Sequence, residues 1–245
     1  MATRTAVILA AGVGSRLRPL TDDKPKALVP VAGKSILARA LEALRSVGVE
    51  RLVIASGYRE DAVRRALEGA PFDVCFRANP DYAVTQNSVS LAKCRDALEG
   101  EAFFRLDGDV VFDAEILLRL DSDRAPLAAA VDSHRALDVE AMKVSVDPRS
   151  GLVSSFGKGI ALDEAAGESI GIERVDRDAA TILFDGLDEA AARGETHLYY
   201  EDVYARLIAG GRLHVSAVQV GDLRWCEIDA PQDLAAAERL FGGPA

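Results

Sequence analysis

The sequence is poor in cysteine, in aromatic residues and in positive charge, and each shortage excludes something. Its three cysteines, Cys75, Cys94 and Cys226, are widely spaced and odd in number. They form neither a zinc-ligand spacing nor a disulfide framework, so a reducing, cytoplasmic setting is expected. Lys and Arg total 29 against 39 Asp and Glu, a formal net charge of −10 at pH 7. That balance argues against a dedicated nucleic-acid or anionic-membrane surface. Long hydrophobic runs are missing: the opening MATRTAVILAAG stops in glycines, so neither a signal peptide nor a membrane span is expected. Internal repeats, low-complexity tracts and flexible linkers are missing too. What is present is 245 residues of 49% hydrophobic composition, enough for one α/β domain with a sizeable core. The sequence leaves the oligomeric state open.

The most informative stretch is 5–33, TAVILAAGVGSRLRPLTDDKPKALVPVAG. Residues 5–9 are apolar and β-branched, which predicts a buried strand. A loop of Ala10, Ala11, Gly12 and Gly14 follows, where missing Cβ atoms let backbone N–H groups wrap a phosphate chain. Arg16, Arg18, Lys24 and Lys26 supply positive charge, and Pro19, Pro25 and Pro30 stiffen the path. Two common phosphate motifs fail here. A dinucleotide fingerprint needs a third glycine where Leu17 stands, and a P-loop ending in Gly33-Lys34-Ser35 needs its first glycine where Leu28 stands.

Further along, strands alternate with helices. Apolar spacing predicts a helix over 36–44, with Ser35 as N-cap and Gly48 beyond its end. Strands are expected at 51–55 and 73–76, with an amphipathic helix over 60–67 between them. This alternation implies right-handed crossovers and a doubly wound, mostly parallel sheet. Ligands in such sheets bind beyond the carboxyl ends of the strands, which places the loops after Leu9, Ala55, Arg77 and Leu106 on one rim. The third loop, 79–90, reads NPDYAVTQNSVS and leads into a helix over about 89–98. Its amides offer donors and acceptors together, as a pyrimidine edge requires; Asn87 or Ser88 alone would also serve as a helix cap. In the fourth loop, Asp107-Gly108-Asp109 follows an apolar strand, well placed to hold Mg²⁺ against phosphates. Asp113 reads as the cap of a helix over 114–120. Short strands at 128–131, 142–146 and 152–156, with a DPRSG turn at 147–151, look like antiparallel material inserted after the parallel half. A further strand covers 167–172, where Gly171 would let a ligand approach. A helix follows over 176–193, with Gly186 as a possible break. Another helix opens at Tyr199, where Glu201 and Asp202 suit the first turn. A strand over 212–220 comes next, and a short strand ends at Asp229 before Pro231 starts the last helix.

These residues resemble the sugar-1-phosphate nucleotidyltransferase-like superfamily. Its opening pattern L-A-A-G-x-G-x-R-L-x-P-L-T, then P-K-x-L, is matched by Leu9 to Gly12, Gly14, Arg16-Leu17, Pro19-Leu20-Thr21 and Pro25-Lys26 with Leu28. The Asp109 of Gly-Asp and the I-D-x-P-x-D-L ending with Asp229 match as well. Within the superfamily the chain looks like the phosphocholine and aminoethylphosphonate cytidylyltransferase branch. That likeness is carried by Gln86-Asn87-Ser88 with Ser90-Leu91, by 107–113 and 167–172, and by Tyr200-Glu201-Asp202 and Glu227-Ile228-Asp229.

The resemblance implies a Rossmann-like α/β fold with a small antiparallel insertion over the active-site rim. It also implies a nucleotide-binding half over 1–124 and an acceptor-binding half over 125–245. The implied reaction transfers CMP from CTP to a small phosphorylated alcohol or phosphonate, phosphocholine-like, with Mg²⁺ and release of pyrophosphate. Lys26 and Arg16 would be catalytic, and Asp109 and Asp229 would hold the metal. Leu9, Ala10, Ala11, Gly12, Gly14, Gln86, Asn87, Ser88 and Asp107 would bind the nucleotide. Lys143, Lys158, Glu168, Gly171, Tyr200, Glu201, Asp202 and Glu227 would face the acceptor, the acids suiting a cationic group. One departure stands out. A quaternary ammonium is usually held by an aromatic cage, yet 132–140, DSHRALDVE, contains no Phe, Tyr or Trp. A primary amine or a neutral polyol phosphate such as inositol phosphate stays open as acceptor, as does a sugar-1-phosphate. A non-catalytic nucleotide-binding module on the same fold is the remaining alternative.

Overall fold

In the computed structural model, which describes residues 2–243, strand β1 (Thr5–Ala10) is buried along its whole length. That is the environment of a central strand covered on both faces. Val7 and Leu9 enter one core, while Ala6, Ile8 and Ala10 enter the other. A tight hairpin of β2 (Pro30–Val31) and β3 (Lys34–Ser35) leads into α1 (Ile36–Ser46), where the Ser35 hydroxyl accepts from the Ala38 amide at 3.1 Å. The next units are β4 (Arg51–Ser56), α2 (Glu60–Ala66) and β5 (Asp73–Ala78). Two short helices, α3 (Asn87–Ala92) and α4 (Arg95–Leu98), replace the single helix expected over 89–98. Then come β6 (Phe103–Asp107), β7 (Val110–Phe112) and α5 (Glu115–Ser122).

The second half holds β8 (Leu127–Asp132), β9 (Lys143–Val146), β10 (Val153–Gly157) and β11 (Gly167–Val175). It ends with α6 (Arg177–Ala192), α7 (Tyr200–Ala209), β12 (Val215–Gln219), β13 (Trp225–Glu227) and α8 (Pro231–Phe241). The main sheet runs β5-β4-β1-β6 in parallel, then the antiparallel β11, then β8 and β12. Helices α1, α2 and α5 cover one face, and α3, α4, α6 and α7 the other. The architecture is therefore the expected Rossmann-like α/β fold with a mostly parallel mixed sheet. No helix among the described residues is long and apolar enough to cross a membrane.

Four local expectations change. The strand at 128–131 belongs to the main sheet, since β8 is fully buried and pairs with both β11 and β12. Only the β9–β10 hairpin forms the insertion, joined to β11 at Gly167 and Glu168. Gly186 does not break α6; its bare face lets Leu207 and Val203 of α7 pack closely. Asp113 does not cap α5; its carboxylate accepts from the Arg224 amide at 2.9 Å and from the Arg224 guanidinium at 2.8 Å.

Candidate active site

The strand ends converge on a cleft of about 340 Å³. One wall is the loop after β1. Gly14 sits in the left-handed region at φ +69°, and a Cβ there would strike the Lys26 side chain. The same loop is braced from outside: the Thr21 hydroxyl donates to the Gly14 carbonyl at 2.8 Å, and the Tyr58 hydroxyl donates to the Asp22 carbonyl at 2.7 Å. Pro25 starts a single 3-10 turn, Lys26–Leu28, which aims Lys26 back across Gly14 toward Asp109 and Asp229 on the cleft lining. Gly108 presses on the end of β1, its amide donating to the Leu9 carbonyl at 3.0 Å. Asp107 and Asp109 are thereby held beside the glycine loop.

At the centre lies an ion cluster. The Lys26 ammonium is 2.7 Å from Asp109 Oδ2 and also bonds Asp229 Oδ1. Arg16 donates to the other Asp229 oxygen at 2.6 Å. Burial works against the Lys26 charge, but Asp109 and Asp229 outweigh it and raise its pKa above the ordinary lysine value. Burial opposes the Asp229 charge too; Lys26 and Arg16 outweigh that and lower its pKa. Glu227 completes the group: one oxygen from each of Asp109, Glu227 and Asp229 lies within 4.8 Å of the others. Its pKa is pushed up to about 8 by desolvation, with Asp109 and Asp229 adding repulsion. All three donors are carboxylate oxygens, the ligand type hard cations prefer. Asp109 Oδ1 is buried with no hydrogen-bond partner among the described residues. This donor set fits Mg²⁺.

The opposite wall is the loop after β5. Gln86 and Asn87 line the cleft with Tyr82 and Thr85. The Gln86 amide N–H donates to the Thr196 carbonyl at 2.9 Å, which fixes the backbone and leaves the side chain facing the cleft. Asn87 Oδ1 accepts from the Tyr200 amide at 3.1 Å. Ser88 is buried, and its hydroxyl donates to the Leu198 carbonyl at 2.6 Å. Three bonds thus tie this loop to the segment before α7. Ser88 serves that tie, while Gln86 and Asn87 remain on the cleft. Leu9, Ala11 and Gly12 line the cleft too, whereas Ala10 is buried beneath it.

The residues expected around the acceptor scatter. Lys158 lines the cleft, its ammonium 5.3 Å from the Tyr199 ring centre, and Glu227 lines it as well. Lys143 is buried, and its ammonium donates to the Lys158 carbonyl at 2.7 Å and more distantly to those of Val139 and Ala141. It pins the insertion and is not on the cleft lining. Asp202 accepts from the Tyr199 amide at 2.8 Å, which is a helix-capping bond. Glu168 is half-buried at the start of β11, paired with Asp132 and Lys143 and off the cleft lining, its pKa raised by desolvation.

Gly171 faces the Asp107 carboxylate, which a Cβ would strike; the close approach is to protein. Tyr200 and Glu201 are buried with Tyr204 below the cleft floor. There the register of β6 and β11 sets Arg105 opposite Glu173, and the two form an ion pair with no exposure to solvent. Arg105 also donates to Asp107 at 2.8 Å, and the Tyr200 hydroxyl donates to Asp107 at 2.8 Å. Burial raises the Glu201 carboxyl well above its ordinary value, with Asp107 adding to it. The buried pair was missed in the sequence, although a lone Arg in AFFRLD and a lone Glu in GIERV were its signals. Tyr82, Thr85 and Ser90 were missed individually because only their rim position marks them. Of the aromatic residues near the site, Tyr82 and Tyr199 line the cleft. Tyr200 and Tyr204 are core, and Trp225 is buried, donating to Asp132 at 2.7 Å beneath the Arg135 guanidinium.

A glycine-containing loop on the central strand and a lysine held by carboxylates at the strand ends, within this sheet order, fit an α/β protein of the nucleotidyltransferase fold. The chain belongs to the MobA-like NTP transferase domain family, whose model matches residues 6–167. It is 33% identical over 98% of its length to the CMP-5'-(3-aminopropyl)phosphonate synthase of Streptomyces rubellomurinus, but spans only 39% of that protein. It is 28% identical to the CTP:phosphoglutamine cytidylyltransferase of Campylobacter jejuni, over 94% of this chain and 97% of the relative. Among solved structures, the inositol-1-phosphate CTP transferase from T. maritima superposes with a TM-score of 0.81 and 25% identity, covering 100% of this chain and 99% of that one.

Proposed function

We propose that the chain transfers CMP from CTP to a small phosphorylated alcohol or phosphonate, releasing pyrophosphate, in a Mg²⁺-dependent reaction. The observation that carries this reading is Lys26 set between Asp109 and Asp229 at the mouth of the glycine loop. The acceptor's phosphate or phosphonate oxygen attacks the α-phosphorus in line with the departing pyrophosphate. That oxygen is already anionic, so the chain need supply no strong general base; positioning and charge neutralisation suffice. The backbone from Gly12 to Gly14 and Arg16 hold the triphosphate. Lys26 bridges the α-phosphate and the incoming anion. Asp109 and Asp229, with Glu227 beside them, would hold Mg²⁺, which when bound supplies charge neutralisation at the α-phosphate. Gln86 and Asn87 read the base.

The relatives support cytosine: aminopropylphosphonate, phosphoglutamine and inositol-1-phosphate each appear with CTP or CMP in their names. For the acceptor, the absence of Phe, Tyr and Trp from 132–140 favours a primary amine over choline within the phosphocholine-like class, with an aminoalkylphosphonate first. Inositol-1-phosphate is the second reading, favoured by the structural match over the whole chain. A cytoplasmic location follows from the reaction, since CTP and its acceptors are met there, and the three cysteines are free.

The experiment is pyrophosphate release with Mg²⁺ over a grid. CTP, UTP, ATP and GTP are crossed with aminoalkylphosphonates, phosphoethanolamine, phosphocholine, inositol-1-phosphate and hexose-1-phosphates. A signal confined to CTP with an amine-bearing acceptor is expected. Turnover only with UTP and hexose phosphates overturns both base and acceptor. Nucleotide binding without release across the grid overturns the enzyme reading in favour of a binding module.

A further inference from the structure

At the cleft centre two cations of the chain itself sit on two of the three clustered carboxylates. Lys26 and Arg16 place two positive charges on the Asp109 and Asp229 carboxylates. A divalent cation would bring the same charge to the same oxygens. Both cannot occupy them: Lys26 bonds an oxygen of each aspartate, and Arg16 takes the second oxygen of Asp229. Of the two aspartates' oxygens Asp109 Oδ1 alone remains, buried and without a partner among the described residues, with Glu227 beside it. The Lys26 stem lies across Gly14, where a Cβ would strike it, which sets its ammonium beside the glycine loop where phosphates would lie. Arg16 is 65% exposed and able to turn.

We infer that Lys26 and Arg16 are stand-in cations that hold the carboxylate cluster closed to divalent ions until a triphosphate draws them away. Two monovalent charges leave the carboxylates for the phosphates, and one divalent charge replaces them. Metal and nucleotide then enter as a coupled pair, each strengthening the other by the same factor. Divalent cations alone bind weakly, because the competent state is the minor one and its fraction scales the affinity. The inference rests on the metal–triphosphate reading of the site given above.

The test uses the full chain and Mn²⁺ alone, titrated by its electron spin resonance signal, then repeated with CTP and no acceptor. Wild type should bind Mn²⁺ poorly alone and at least about tenfold more tightly with CTP. Lys26→Met should gain about tenfold in affinity for Mn²⁺ alone and lose most of the CTP enhancement. Arg16→Gln, at an exposed position where folding is secure, should gain a smaller factor in the same direction. Adding Asp229→Asn to Lys26→Met should abolish the gain. Unchanged or weaker Mn²⁺ binding in both single variants overturns the inference, and so does a gain that survives Asp229→Asn. If wild type binds no CTP with Mn²⁺, the proposed function itself falls. If it binds CTP and the variants gain nothing, only the stand-in role falls.

Discussion

On the side of the cleft proposed for the nucleotide, Gly12, Arg16, Lys26 and Asp109 reach the cavity or its central ion cluster from one short loop and one strand end. On the acceptor side, eight residues were expected around the substrate, and only Lys158 and Glu227 line the cleft. Lys143, Asp202, Tyr200 and Gly171 are taken up by bonds and packing within the protein, Glu201 is buried, and Glu168 is off the cleft lining. The difference lies in what fixes the residues. The first group is a contiguous motif whose glycines and prolines dictate the backbone, so spacing alone sets where the charges point. The second is a set of single charged residues on separate elements, and each finds whichever partner the packing brings. A buried lysine meets carbonyls, an acid in a helix's first turn caps it, and an acid under the floor is held by burial above its ordinary pKa.

The comparison can be broken or sharpened by mutation. Arg105→Met should cost the most stability, about 3–5 kcal/mol in urea unfolding, because it leaves Glu173 and Asp107 buried without their cation. The same cluster predicts a pH slope. Burial raises Glu173 from the ordinary 4.5 to about 7. The folded state therefore holds more protons than the unfolded between these values, and stability should fall as pH rises through that window. Glu201, raised by burial, adds the same sign. Glu173→Gln should shrink the slope; an unchanged slope between pH 4.5 and 7 would place the titration elsewhere.

Lys26→Ala should keep its fold by circular dichroism and lose about 100-fold or more in turnover, as for loss of one charge-stabilising group. Near-wild-type turnover would remove Lys26 from the reaction. Lys143→Met tests the acceptor side: a loss of about 1–3 kcal/mol in stability is expected from three orphaned carbonyls, with the acceptor KM within about twofold of wild type. A tenfold rise in KM with unchanged stability would return Lys143 to the substrate. Asp202→Ala is the smallest, roughly 0.3–1.5 kcal/mol of helix stability, read from the thermal midpoint at constant kinetics.

Much of the molecule was legible in its residues. The strand at Thr5–Ala10, the Ser35 cap, the DPRSG turn and the Pro231 start all follow from local propensity, and all are present. Less legible was the strand Leu127–Asp132. Its run of small residues reads the same in an insertion as in a central strand, and only pairing with both β11 and β12 tells them apart. Gly186 and Gly171 were ambiguous for a related reason. A glycine reports that something comes close; whether that is α7, the Asp107 carboxylate or a ligand depends on elements far away in the chain.

The residues alone determined the alternating α/β order and the glycine loop, and the family pattern they carry marked Lys26, Asp109 and Asp229, because each is encoded within a few neighbouring positions. The tertiary structure alone decided that Asp229, 203 positions from Lys26, shares that ammonium with Asp109, and that Glu227 joins them. It also decided that Glu201 lies buried under the floor while Lys158 stands on the cleft. The physical reason is that a side chain's partners are set by strand register and helix packing between distant segments, and charge and burial act only once those segments have met.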